Sequence, residues 1–183
     1  MGRLTDGHDP ERARAIQQLP LQHELAEDPR IEFATHYVPH DIIGGDYNAI
    51  TKLSENEYGI MLADVMGHGI GAALYTMHLS QLHGRYSEQL AQPARFAAAV
   101  NNELAKVVKT DTAFATAVCA VVDLDRRVLR IASAGGPEFL IVHPDGKYDS
   151  LESPGLPLAI MEDAHYEEAA TEIRKGDSLL LFK

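Results

Sequence analysis

Two helical stretches stand side by side in the middle of a chain whose other elements read as short strands, and that order restricts the fold more than any other feature. Residues 70–86 carry Ile70, Ala73, Leu74, Met77 and Leu82 near helical spacing. Residues 93–109 line Phe96, Ala97, Val100, Leu104, Val107 and Val108 along one stripe, and Pro93 suits a first helical turn. Before them, residues 31–38, 46–53 and 58–65 read as strands. The last two are joined by Ser54-Glu55-Asn56-Glu57, a polar turn of hairpin length. After them come strand-like runs at 113–123, 128–133, 138–143, 147–151, 167–173 and 178–182. Turn chemistry separates these, as in Pro144-Asp145-Gly146, and Arg174-Lys175-Gly176-Asp177 reads as another hairpin turn between the last two runs. A doubly wound sheet needs strands and helices to alternate throughout, and here they do not. The order predicts an α+β protein: an antiparallel β-sandwich with these two helices as neighbours on one face.

Composition narrows the function. The 183 residues, 45% hydrophobic and 23% charged, suit one domain with a real core. Sixteen Lys and Arg against 27 Asp and Glu leave a net charge of −11, which repels phosphate backbones and argues against nucleic acid as a partner. No apolar run approaches the ~20 residues of a membrane span, and residues 1–20 lack the apolar stretch of a secretory signal. The single cysteine, Cys119, allows no internal disulfide and sits in an apolar run as a small hydrophobe. The expectation is a cytoplasmic protein without membrane association. Residues 1–28 read as an N-terminal tail and helical connector, with helical patterns at 11–18 and 21–27 interrupted at Pro20.

Chemistry concentrates at two aspartates set among glycines. Asp46 lies in Gly44-Gly45-Asp46-Tyr47 at a strand start, and Asp64 in Ala63-Asp64-Val65-Met66-Gly67-His68-Gly69, where a strand gives way to a helix. Taken singly, the first serves as a turn former or cap and the second belongs to a tight loop. Counted back from the Ser54–Glu57 turn, however, the two aspartates fall opposite one another at the open end of one hairpin. Two carboxylates so close repel unless a cation or a shared proton lies between them. Hard divalent cations prefer such oxygen donors, and the glycines allow close backbone approach. Other candidates read as structural: His68 as a loop residue, and His78 and His83 as helix residues that diverge from one face. There is no Gly-x-Ser-x-Gly elbow and no Gly-x-x-x-x-Gly-Lys loop.

These two segments, followed by a helix of small residues, resemble the metal-dependent protein phosphatases of the SpoIIE/RsbU class, the bacterial branch of the protein phosphatase 2C superfamily. The likeness continues in order through Thr112-Ala113-Phe114-Ala115-Thr116, Ser133-Ala134-Gly135-Gly136-Pro137, Gly155-Leu156-Pro157-Leu158 and Gly176-Asp177-Ser178-Leu179-Leu180-Leu181-Phe182. It spans roughly residues 16 to 182. The resemblance implies a sandwich with helices on both outer faces, in α-β-β-α layers. It also implies two Mn²⁺ or Mg²⁺ ions at one end, activating a water that attacks phosphoserine or phosphothreonine. Carried over, Asp64 is the bridging ligand, Asp46 binds or orients metal-held water, and the Val65 carbonyl completes a coordination sphere. Asp46 and Asp64 are then the catalytic pair, and Asp46, Asp64 and Val65 the metal ligands. The partner implied is a phosphorylated regulatory protein of the anti-anti-sigma type, and a homodimer is allowed.

Departures from the family pattern open a second reading. The family's next acidic residue after Gly-Gly-Asp is here Ala49, and its His after Ala-Gly is Gly136. Its later metal aspartates follow the strand that matches 178–182, where this sequence ends at Lys183. The expectation is a phosphatase 2C-like domain over residues 29–183 lacking its C-terminal end, holding at most one weak metal. The alternative is a catalytically impaired regulatory or interaction module on the same fold.

Overall fold

The computed structural model describes residues 28–37, 43–107 and 113–182. The expected tail and helices before residue 28, the end of the second helix stripe at Val108 and the Thr112 position lie outside the described residues.

The polar turn works as expected. Ser54 Oγ accepts hydrogen bonds from the amides of Asn56 (3.3 Å) and Glu57 (3.1 Å), and the Leu53 amide donates to the Glu57 carbonyl (2.9 Å). It joins β1 (Asp46–Lys52) to β2 (Glu57–Val65) as an antiparallel hairpin. Then follow α1 (Gly69–Tyr86), a short 3-10 turn (Ser87–Ala91) and α2 (Pro93–Val107). The remaining strands are β3 (Ala115–Asp123), β4 (Val128–Ala134), β5 (Phe139–Val142), β6 (Tyr148–Leu151), β7 (Ala169–Glu172) and β8 (Ser178–Leu180). They form two antiparallel sheets, one ordered β1-β2-β3-β4-β7 and one ordered β6-β5-β8.

Strand alternation divides the apolar residues into two cores on opposite faces of the large sheet. Tyr47, Ala49, Met61, Ala63, Val65, Ala117 and Cys119 face α1 and α2, and pack against Leu79, Leu82, Phe96, Val100 and Leu104. Val118, Ala120, Val122, Leu129 and Ile131 face the small sheet and meet Phe139 and Ile141. Both helices therefore cover one face of the large sheet and touch each other. Among the described residues no helix covers the small sheet, whose Tyr148, Leu180 and neighbouring Phe182 are 68, 48 and 51% exposed.

Three local expectations are corrected. Of the strand expected at 31–38, residues 31–37 form none, and Val38 lies outside the described residues. Ile31 makes a single bridge to Asp28 and packs on the inter-sheet core, Phe33 stacks near Tyr58 at 5.2 Å, and residues 32–37 lack regular structure. Side-chain anchoring takes the place of a ladder: Arg30 binds Asp28, Asn56 and the Glu55 carbonyl. In α1 the buried stripe runs through Ala72, Ala73, Thr76, Leu79, Leu82 and His83, whereas Ile70 and Leu74 are 72 and 66% exposed. In α2 the stripe holds, but Val107 is 59% exposed at the helix end and Asn101 is fully buried.

Candidate metal centre

Hairpin register sets the candidate centre. Asp46 pairs directly with Asp64, and Asp64 in turn with Thr116 of β3. Directly opposed residues place their Cβ atoms about 4.5–5.5 Å apart and send their side chains to one face. That face is the inter-sheet one, because Val118, two residues beyond Thr116, belongs to the inter-sheet core. Asp46, Asp64 and Thr116 thus form a row at one end of the sandwich, the end away from the Ser54–Glu57 turn.

The backbone beside the row is shaped for close approach. Val65 donates its amide to the Gly45 carbonyl (3.0 Å), and Met66 donates to the Phe114 carbonyl (2.9 Å) as the chain leaves the sheet. A Cβ on Gly45 would stand 2.5 Å from the Val65 carbonyl oxygen. Any other residue at 45 would cover that oxygen or push it aside. Gly67 (φ 98°) and Gly69 (φ 75°) turn the chain through left-handed conformations into α1. His68 lies between them as the N-cap, in extended conformation and without a side-chain cap bond. The Thr76 hydroxyl of α1 lies 3.3 Å from the Gly44 carbonyl, tying the helix to the loop that leads to Asp46.

The row sets two carboxyl groups on one face. Desolvation raises the Asp64 carboxyl above the ordinary carboxylate range. Two carboxylates and the Val65 carbonyl are hard oxygen donors, the kind that Mg²⁺ and Mn²⁺ take. The set fits such an ion in kind and is small in number: among the described residues no group of three or more His, Cys, Asp or Glu side chains is placed to hold a metal.

The other candidates are spent on packing. His83 sets its Nε2 3.3 Å from Thr51 Oγ1, and its ring lies edge-on between Tyr47 and Phe96 at 5.9 and 5.7 Å. Cys119 is buried, which pushes its thiol up to about 12. The loop at Gly136 runs so near β3 that a Cβ would lie 2.7 Å from the Ala117 carbonyl oxygen. Sequence reasoning gave the glycines beside Asp46 a role in close backbone approach but passed over Thr116. The signal for Thr116 was available, since extending the hairpin register by one strand brings it beside Asp64.

Comparison with known proteins decides the family. The model of the SpoIIE family (Stage II sporulation protein E) matches residues 54–182, well over half of the chain. The chain belongs to the SpoIIE family. Two curated relatives from Bacillus subtilis (strain 168) support this. Phosphoserine phosphatase RsbP is 27% identical over 183 residues, covering 98% of this chain and 45% of the relative. Phosphoserine phosphatase RsbU is 29% identical over 171 residues, covering 93% and 50%. The chain thus spans about half the length of the curated relatives it matches. Among solved structures, the SiaA-PP2C domain of Pseudomonas aeruginosa superposes with a TM-score of 0.74 at 21% identity, covering 94% of this chain and 69% of that one. RsbX in complex with magnesium superposes at 0.59 with 19% identity, covering 75 and 64%. At those identities the likeness is one of fold, and the fold of this SpoIIE-family chain is that of the phosphatase 2C domains. No helix among its described residues is long and apolar enough to cross a membrane.

Proposed function

We propose that this SpoIIE-family chain is a phosphatase domain that removes phosphate from serine or threonine of a phosphorylated regulatory protein, using a divalent cation held at Asp46, Asp64 and the Val65 carbonyl. The observation that carries this reading is the register that sets Asp46 against Asp64, with the Gly45 backbone and no side chain packed on the Val65 carbonyl beside them. The phosphoserine phosphatases RsbP and RsbU supply the reaction class, and the magnesium complex of RsbX supplies the kind of ion. A substrate of the anti-anti-sigma type belongs to the same reading.

When bound, Mn²⁺ or Mg²⁺ supplies Lewis-acid polarisation of a phosphoryl oxygen and acidifies coordinated water. The chain's own residues do the positioning. Asp64 and Asp46 hold negative charge on one face, at a separation set by the ladder. Gly45 leaves no side chain over the Val65 oxygen, and the Thr116 hydroxyl stands next in the row as a hydrogen-bonding group.

A specific observation favours a second reading, a phosphoprotein-binding module without turnover: the row holds two acidic side chains, and no larger acidic or histidine cluster lies among the described residues. One assay separates them. Hydrolysis of p-nitrophenyl phosphate and of a phosphoserine peptide is measured against Mn²⁺ concentration for the wild type, Asp46→Asn and Asp64→Asn. Mn²⁺-dependent turnover that falls to background in Asp64→Asn supports the phosphatase. Turnover that is absent at every Mn²⁺ concentration, with the phosphopeptide still bound, supports the module.

A further inference from the structure

The first residues of β3 have no β4 beside them. The β3–β4 ladder begins at Val118–Ser133, yet β3 starts at Ala115. Leu158 fills the vacant place: its amide donates to the Ala115 carbonyl (2.7 Å), and the Ala115 amide donates to the Leu158 carbonyl (3.2 Å). On its other side Ala115 pairs with Val65, one residue from Asp64. A loop residue thus acts as a surrogate strand for the part of the sheet that carries the acidic row.

That loop does not hold its shape by its own preferences. Ala159 has φ 70° and Asp163 φ 55°, left-handed conformations that are strained for alanine and taken more readily by aspartate. What offsets this cost comes from α2. Asn101, fully buried, accepts the Ala159 amide on Oδ1 (2.9 Å) and donates Nδ2 to the Met161 carbonyl (3.0 Å). Its neighbour Asn102 accepts the Asp163 amide (2.9 Å) and donates to Asp163 Oδ1 (3.1 Å). A buried carboxamide with both ends spent on one loop's main chain is a fixed clamp.

We infer that Asn101 is a positioning residue for the acidic row: its carboxamide locks residues 159–161 so that Leu158 braces Ala115, and through it the Val65 backbone beside Asp64. The metal consequence rests on the proposed function; the clamp itself does not.

The test uses the full chain, with amide hydrogen exchange read residue by residue and Mn²⁺ uptake read by the electron paramagnetic resonance of free Mn²⁺. In Asn101→Ala the Ala115 and Leu158 amides should exchange at least about tenfold faster, while Ile141 of β5 keeps its wild-type rate. Mn²⁺ affinity should weaken about tenfold, the scale expected when support behind a ligand is lost. Asn101→Ser, whose shorter side chain cannot span the Ala159 amide and the Met161 carbonyl together, should reproduce both effects and serves if Asn101→Ala does not fold. Adding Ala159→Gly to Asn101→Ala relieves the left-handed cost and should restore part of the protection at Leu158. Unchanged exchange at Ala115 and Leu158 overturns the clamp, as does an equal acceleration at Ile141, which marks an ordinary core residue. Loosened amides with unchanged Mn²⁺ affinity overturn the positioning role. A wild-type chain that takes up no Mn²⁺ overturns the reading of the acidic pair and this metal consequence with it, while the exchange data still decide the clamp.

Discussion

Gly45 and His143 show how much a single position can hold. A methyl group at 45 would meet the Val65 carbonyl oxygen at 2.5 Å, so Gly45→Ala must move backbone rather than a side chain. The expected loss is about 1–3 kcal/mol of stability, read as a lower denaturant midpoint, together with loss of Mn²⁺ binding. At the small sheet, His143 sets Nδ1 2.8 Å from Asp177 and Nε2 3.0 Å from Asp149. A neutral imidazole has one N–H, so both contacts are hydrogen bonds only when the ring is charged. Asp177 first, and Asp149 second, accordingly raise the His143 pKa above its ordinary 6.5. Burial pushes the Asp177 carboxyl up, but the bonds from His143 and the Arg174 amide outweigh it and hold the carboxyl low. A raised folded-state value means that the His143 contribution is complete below the unfolded value of 6.5 and is lost as pH rises through the folded one. The thermal midpoint should therefore fall across that interval in the wild type, and His143→Gln should flatten this part of the profile. Neither residue was legible beforehand in this role. Gly-Gly-Asp advertises flexibility without naming the oxygen that needs room, and the His143 partners lie 6 and 34 residues away.

Elements were legible wherever a local pattern matched a local cause. The Ser54–Glu57 turn, the two helices and the β3–β4 and β5–β6 hairpins announce themselves through turn residues and periodicity, and their ends fall within a few residues of the spacing-based bounds. The hairpin expected across Arg174–Asp177 does not form: β7 pairs with β4 in the large sheet and β8 with β5 in the small one. What periodicity misjudged was orientation. In α1, small residues dominate both faces, so alanine, threonine and histidine can take the buried side while Ile70 and Leu74 face outward. In α2, Asn101 occupies a stripe position four residues after Ala97 and three before Leu104; that polar residue in an apolar stripe was the available sign of a buried contact. Residues 31–37 show the converse error, because alternation signals a half-buried extended chain and not the presence of a ladder partner. Phe96 anchors the element scale. It is fully buried and joins α2 to the His83 ring. Phe96→Ala should cost about 3–5 kcal/mol in chemical denaturation. Ile70→Ala, on the outward face of α1, should change stability by less than about 0.5 kcal/mol.

The whole molecule places one sheet between two cores, helical on one side and inter-sheet on the other, with the acidic row at the rim of the second. The order of elements was enough to expect that sandwich and its pair of neighbouring helices; the second helical layer is not among the described residues. If the row holds a cation, the folded chain should gain about 2.7 kcal/mol at a Mn²⁺ concentration about 100 times Kd, seen as a rise in thermal midpoint that Asp64→Asn abolishes. The hairpin also carries a constraint on length. Asp46 and Asp64 meet because the ladder runs through seven consecutive pairs, Asp46–Asp64 at one end and Lys52–Tyr58, next to the turn, at the other. The β1–β2 hairpin is thus a ruler with its zero mark at Ser54–Glu57, far from the chemistry. One residue added to or removed from either arm turns one carboxylate to the opposite face of the sheet, however perfectly both aspartates are retained. Sequence drift at the rim is tolerable to the extent that it leaves that count intact.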